Sequence, residues 1–355
     1  MIMTRTRTAS WAKIIAPIAA SALWIGGCSG HGEADVELVW VEQDSGVTSS
    51  LRGLTVVSET TAWIGAPDGT VLRTIDSGAS WGELHISGAE GLDLRSSHGF
   101  NDQDALFFTA GTPAQLYRTR DGGESFQLAY EDASPDAFFD TLAFWNNAYG
   151  IAFSDPVDGE FHILLTEDGG ENWVPAANLP APLEGEAGFA ASNTMITTAP
   201  GGRAWIGTGG GETARILYTP DFGSSWEVFD TPIASGSSGA GVFSLTIDDD
   251  QLVIVGGSYT DEDSTDGVAA WSKDHGATWR LPASTASGYR SAVAALPGHA
   301  GHFVAVGPNG ADLSRDGGLN WERVSETGYH AIAFSNEGNV GWAVGSDGRI
   351  ARVTY

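Results

Sequence analysis

An all-β, seven-bladed β-propeller is the fold this sequence predicts, and three observations predict it. One eight-residue pattern occurs six times along the chain. The stretches between the copies read as short apolar strands bounded by glycine. A strand-like segment near the N-terminus supplies what the last unit lacks. The six copies are Thr74–Trp81, Thr119–Phe126, Thr166–Trp173, Thr219–Trp226, Ser272–Trp279 and Ser314–Trp321. Their aspartates, Asp76, Asp121, Asp168, Asp221, Asp274 and Asp316, stand 45, 47, 53, 53 and 42 residues apart. Self-similarity at that period belongs to propellers and solenoids, whose units cannot bury their apolar faces alone.

The common form is Ser/Thr-x-Asp-x-Gly-x-Ser/Thr/Asn-Trp/Phe, and its residues explain one another. Asp accepts hydrogen bonds across a tight turn. Gly two residues later supplies a position with positive φ. The Ser, Thr or Asn bonds its local backbone, and the closing aromatic packs on the hairpin as the next strand begins. The pattern is identified as the Asp-box, or bacterial neuraminidase, repeat of β-propellers. That resemblance implies a hairpin between the third and fourth strands of each blade, on the face away from the ligand site. It leaves the six aspartates a structural role.

The chain begins with a segment that reads as processing rather than fold. Arg5, Arg7 and Lys13 form a basic leader, and Ile14–Ile25 is apolar but too short to span a bilayer as a mature helix. It runs into Ile25-Gly26-Gly27-Cys28, which resembles a bacterial lipobox. The resemblance implies a lipoprotein signal peptide over residues 1–27, diacylated Cys28 as the mature N-terminus, and a linker over residues 28–35. The expected location is then the bacterial cell envelope. The protein would be lipid-anchored and extracytoplasmic, at the outer membrane or periplasmic face in a Gram-negative cell. Cys28 is the only cysteine, so no intrachain disulfide is available.

Three of the 17 basic residues lie in the leader, which holds no acidic residue; the remainder carries 14 basic and 45 acidic residues, a net charge of −31. Such a chain is repelled by nucleic acid and by anionic membrane surfaces, so contact with the membrane runs through the lipid alone. The expected form is a monomer.

Residues 36–355 divide by seven into units of about 46 residues, the period of a propeller blade. Leu51–Val57, Leu94–Phe100, Phe139–Trp145, Glu186–Ser192, Val242–Asp248, Tyr289–Ala295 and Tyr329–Ser335 read as the inner strands. Second strands follow, such as Ala62–Gly65, Ala204–Gly207, Phe303–Gly307 and Trp342–Gly345. The last unit ends before a fourth strand. Leu38–Glu42 resembles the strands after the boxes and is expected to complete that blade, closing the ring and removing its exposed edge.

Inner strands line the central channel, with alternate residues facing it. Aligned, they give one column of Arg52, Arg95, Asp140, Ala187, Phe243, Arg290 and His330, and a neighbouring one of Leu51, Leu94, Phe139, Glu186, Val242, Tyr289 and Tyr329. This predicts Arg52, Arg95 and Arg290 around one mouth, with Asp140, Glu186 and His330 close by. Asp155, in the loop Ser154–Gly159, is expected to face them. A cluster of guanidiniums in an acidic chain favours an acidic ligand or partner segment, because Arg forks pair with carboxylates. The bland alternative is a network of Arg–Asp pairs that merely fills the channel.

Other features carry less. The acidic loop Tyr259–Asp266 lacks the spacing of a calcium loop, and His299 and His302 have no zinc-ligand companions. No dinucleotide, haem or metal signature is present, so no cofactor is expected.

The segments Leu51–Leu54, Gly65–Thr74, Gly288–Ser291 and Gly341–Ile350 resemble the photosystem II stability/assembly-factor family and its bacterial relatives. That resemblance implies a seven-bladed binding and assembly scaffold with an arginine-rich patch, for which Arg52, Arg95 and Arg290 are the candidates. It brings no evidence of photosynthesis. The competing reading is a sialidase-like glycoside hydrolase. It would hold a substrate carboxylate with the three arginines and use Tyr289 or Tyr329, Glu186, and Asp140 or Asp155. The Arg-Ile-Pro segment typical of sialidases is missing, since Gly53 and Leu54 follow Arg52. The scaffold reading is the one adopted.

Overall fold

A computed structural model describes residues 36–355; the expected signal peptide, Cys28 and the expected linker lie outside the described residues. Residues 37–355 form one unit of seven antiparallel sheets, each a meander of consecutive strands. Blade 1 is Gly53–Val56, Ala62–Gly65, Thr70–Thr74 and Gly82–His85. The first strands of the seven sheets touch one another in an unbroken cycle that returns from blade 7 to blade 1, so the sheets stand around one axis. The fold is the expected seven-bladed propeller.

The core lies between blades. Trp63 and Val71 of blade 1 pack with Leu94, Phe107 and Tyr117 of blade 2, and similar clusters join later pairs. Large buried aromatics also bond outwards. Trp63 Nε1 donates to Asn101 O of blade 2 at 2.9 Å, and Trp205 Nε1 donates to His275 O of blade 5 at 2.7 Å. An indole that packs on one blade and bonds the next fixes the angle between them.

The six repeated turns share one hydrogen-bond set. In each, the Asp Oδ1 accepts a backbone N–H four residues on, at 2.8–3.0 Å. Its Oδ2 accepts that same residue's side chain at 2.6–2.8 Å. The leading Ser or Thr hydroxyl accepts the Gly N–H at 2.8–3.0 Å. These carboxylates are consumed by their turns. Asp121 is held at about 2, first by the Ser125 side chain and then by the Ser125 amide.

Blade 7 consists of Ala331–Phe334, Val340–Val344 and Ile350–Thr354, with Val39–Gln43 as its outermost strand. The register runs antiparallel from Val39 opposite Thr354 to Gln43 opposite Ile350. Gln43 is the latch. Its Oε1 accepts from Trp81 Nε1 at 3.1 Å and Trp342 Nε1 at 3.0 Å, and its Nε2 donates to Ser77 O at 3.3 Å. One amide thus ties the closing strand to both blades 7 and 1.

Two units depart from the expected pattern. Blade 5 has three full strands, and its fourth is reduced to one bridge between Trp271 and Arg280. Pro282 follows, without an N–H to continue a ladder, and Ala283 N bonds Leu319 O instead. In blade 4 the inner strand is Ile196–Ala199, not Glu186–Ser192. The segment read as that strand passes Gly188, where a Cβ would lie 2.3 Å from Asp140 Oδ2, and turns at Asn193 with φ of 65°. A strand cannot run through that turn.

Candidate functional site

Residues 188–194, displaced from the blade 4 sheet, close the channel. Asn193 reaches across the ring: its Oδ1 accepts from Ser96 Oγ at 2.6 Å and Ser97 N at 3.1 Å. Its Nδ2 donates to Leu54 O at 3.1 Å and Ser97 O at 2.8 Å. Thr194 Oγ1 bonds Ser244 Oγ of blade 5 at 2.7 Å, and Ala191 O accepts from Arg52 Nη1 of blade 1 at 3.0 Å. A segment bonded to blades 1, 2 and 5 at once is a plug. One pocket, lined by Phe189, Ala190 and Ala191, lies on one side of it; another, lined by Thr194, Ile196 and Thr197, lies on the other.

The first pocket is a blind cavity of about 360 Å³ on the face of the loops between second and third strands. The repeated turns join third to fourth strands and so lie on the opposite face of an antiparallel meander. The plug forms the floor. Phe189 stacks on Phe243 with centroids 3.8 Å apart, and Tyr289 meets Phe243 edge-on at 4.8 Å. Arg52, Arg95 and His330 form the polar wall.

The two pocket arginines differ. Arg95 Nε donates to Asp93 Oδ2 at 2.7 Å. Half-buried Arg52 makes no ion pair among the described residues; its guanidinium bonds a single carbonyl, that of Ala191. Burial first, and then the charge of Arg95, lowers its pKa, so its positive charge is held at a cost. His330 cannot add a cation: burial, followed by repulsion from Arg52, Arg349 and Arg95, brings it down to about 3.

The other expected site residues are placed elsewhere. Arg290 is fully buried; its Nε donates to Asp312 Oδ2 at 2.6 Å and its Nη1 to Asn309 Oδ1 at 2.6 Å. A carboxylate inside blade 6 has to be paired, and Arg290 turns away from the mouth to pair it. Glu186 is buried with Arg215, whose Nε donates to its Oε1 at 2.9 Å, and it also accepts from Thr208 Oγ1 at 2.5 Å. The bland reading therefore holds for these two residues. Asp140 and Asp155 form a carboxyl pair behind the plug, where Asp155 Oδ1 accepts Gly188 N at 2.8 Å. Burial first, then the charge of Asp155, pushes Asp140 well above the carboxylate range, and burial raises Asp155 too. Two carboxyls raised together favour a protonated Asp140, and Asp155 fastens the start of the plug.

That pair sets a pH dependence. Folding takes up a proton at a raised carboxyl, so stability falls as pH climbs from the ordinary carboxylate range to the raised value. The slope is at most about 1.4 kcal/mol per pH unit, and it vanishes above the raised value. Asp140→Asn is expected to flatten that slope and to melt higher than wild type at neutral pH, as thermal unfolding from pH 4 to 8 will show. A variant that melts lower than wild type at pH 8 contradicts a raised Asp140.

Sequence reasoning placed Phe243 in the channel column but missed the plug and its Phe189. The available signal was the polar run Ser192-Asn193-Thr194 inside an apolar stretch, with Asn tolerant of positive φ. Among the described residues no group of three or more His, Cys, Asp or Glu is arranged to hold a metal ion.

The site and fold define a plugged propeller with a cationic, aromatic-floored mouth. Several solved structures are similar. YCF48 bound to D1 peptide has 15% identity and a TM-score of 0.64 over 89% of this chain and 97% of that one. YCF48 from Cyanidioschyzon merolae has 17% identity and a TM-score of 0.62 over 88% and 98%. A GH74 xyloglucanase from Xanthomonas campestris has 17% identity and a TM-score of 0.58 over 88% of this chain and 53% of that one. At such identities the likeness shows the fold. No protein-family model matches the chain, and no curated protein matches it.

Proposed function

We propose that this chain is an extracytoplasmic, lipid-anchored scaffold that docks an acidic segment of a partner protein in the blind pocket. Arg52 carries the reading. Keeping a half-buried guanidinium beside a second one, with no ion pair of its own among the described residues and only the charge of Asp93, already paired to Arg95, in its favour, is unfavourable until an anion arrives. The phenyl and phenol rings of Phe243 and Tyr289 give the rest of a segment an apolar wall. The structural likeness to YCF48 bound to D1 peptide, together with the Asp-box turns and the segments resembling the assembly-factor family, supports peptide docking on this type of propeller. The hydrolase alternative gains nothing from the geometry, because Asp140 and Glu186 are buried in other pairings.

Because the mature chain is so acidic, an anionic peptide binds only through a local cationic site. Fluorescent hexapeptides carrying one Glu are expected to bind wild type and to lose about 10- to 100-fold in affinity on Arg52→Gln, the value of a charge-assisted hydrogen bond. Equal binding by wild type and variant overturns the reading. Anchoring is a separate part of the proposal: Cys28→Ala is expected to leave the precursor unprocessed or the protein released. A variant that fractionates and migrates like wild type counts against it.

A further inference from the structure

The mouth also carries a negative lip. The loop Tyr259–Asp266 follows the second strand of blade 5, and both Tyr259 and Glu262 line the pocket that holds Arg52. The loop is pinned there by backbone: Glu262 O accepts from Tyr289 N at 2.9 Å and from Asn309 Nδ2 at 3.1 Å. Gly288 makes this approach possible, since a Cβ there would lie 2.4 Å from Glu262 O. Position 262 is therefore built in, while the Glu262 side chain makes no ion pair among the described residues. Tyr289 lines the same pocket and feels both charges. After burial, which is the largest influence, its hydroxyl is pulled down by Arg52 and pushed up by Glu262. Tyr259 is 49% exposed, and its ring meets Phe243 edge-on at 6.2 Å, so an aromatic ring is left open to a ligand beside the carboxylate.

An unpaired guanidinium and an unpaired carboxylate thus share one blind cavity of about 360 Å³. A purely anionic ligand gains at Arg52 and is repelled at Glu262. A ligand with both signs gains at each, and its cation also meets the Tyr259 ring. We infer that the pocket selects a bipolar segment, with an acidic residue on Arg52 and a lysine or arginine on Glu262 and Tyr259. The inference rests on the docking reading above, and it makes Glu262 a specificity-determining residue.

The test is a random decapeptide display library selected on the full-length protein, on Glu262→Lys and on Arg52→Gln. Wild type is expected to enrich peptides with an acidic residue and a Lys or Arg at one fixed spacing. Glu262→Lys is expected to replace the basic position by an acidic one and leave the other position unchanged. For the best wild-type peptide, replacing its basic residue by norleucine is expected to cost about 3- to 5-fold on wild type, the upper worth of one exposed ion pair, and under about 2-fold on Glu262→Gln. Both Glu262 variants should melt like wild type, since this side chain is exposed. An acidic consensus without a basic partner overturns the inference alone, as does a basic position indifferent to Glu262. Arg52→Gln is expected to lose the acidic position, and an acidic position that persists on that variant, or no acidic consensus on wild type, overturns the docking reading with it.

Discussion

Deletion of Val39–Gln43 is expected to lower the melting temperature by more than about 7 °C, the equivalent of some 5 kcal/mol in a chain of this size. The strand supplies the whole outer ladder of blade 7, from Val39 opposite Thr354 to Gln43 opposite Ile350. Its Trp40 ring stacks on Tyr329 at 5.2 Å. Without Gln43, the indole N–H groups of Trp81 and Trp342 lose their shared acceptor, and unsatisfied buried donors cost about 1–3 kcal/mol each. The loss also leaves Ile350–Thr354 as an open edge, which invites pairing with other chains. Scanning calorimetry and size-exclusion chromatography read both effects. A truncated protein that melts cooperatively within a few degrees of wild type would show that blade 7 does not need its N-terminal strand.

Asn193→Ala is expected to destabilise the fold by about 3–4 kcal/mol. Four hydrogen bonds from one side chain join the plug to blades 1 and 2, each worth about 0.5–1.5 kcal/mol net. The backbone at φ of 65° adds a penalty of about 1 kcal/mol for an alanine. Asn193→Gly separates the two contributions, because glycine takes positive φ without strain and restores only the second. Denaturant unfolding gives the stabilities, and amide hydrogen exchange over residues 188–194 should rise strongly in both variants. Exchange that stays slow, with a loss below about 0.5 kcal/mol, would mean that the plug is held by packing alone.

The parts of this molecule legible in its sequence are those decided locally. The six turns place Asp, Gly and the closing aromatic within eight residues, and each turn forms on its own hydrogen bonds. The missing fourth strand of the last unit was equally visible, and Val39–Gln43 fills it. Aligning inner strands located Arg52, Arg95 and His330, because a channel position recurs at the same place in each unit. The same alignment failed where a third strand presents a buried charge. Asp312 turns Arg290 inward, and Arg215 captures Glu186; neither pairing has a local sequence signature. Tyr289 lines the pocket beside Arg290's backbone instead. The plug escaped because Ala187–Ala191 has the composition of an inner strand, and only Asn193, with its partners some 97 and 139 positions away, reveals that the chain leaves the sheet.

Docking of an acidic segment at Arg52 is the central claim, and site-specific photocrosslinking in cells tests it most directly. A benzoylphenylalanine at position 259 stands at the lip of the pocket, and one at position 41, where Val41 is 53% exposed on the outer strand of blade 7, serves as the control. The predicted result is a single crosslinked partner peptide from position 259, containing Asp or Glu, absent from position 41 and lost when Arg52→Gln is combined with the probe. A crosslink from position 259 that survives Arg52→Gln unchanged, or equal capture of the same partner from position 41, would contradict it.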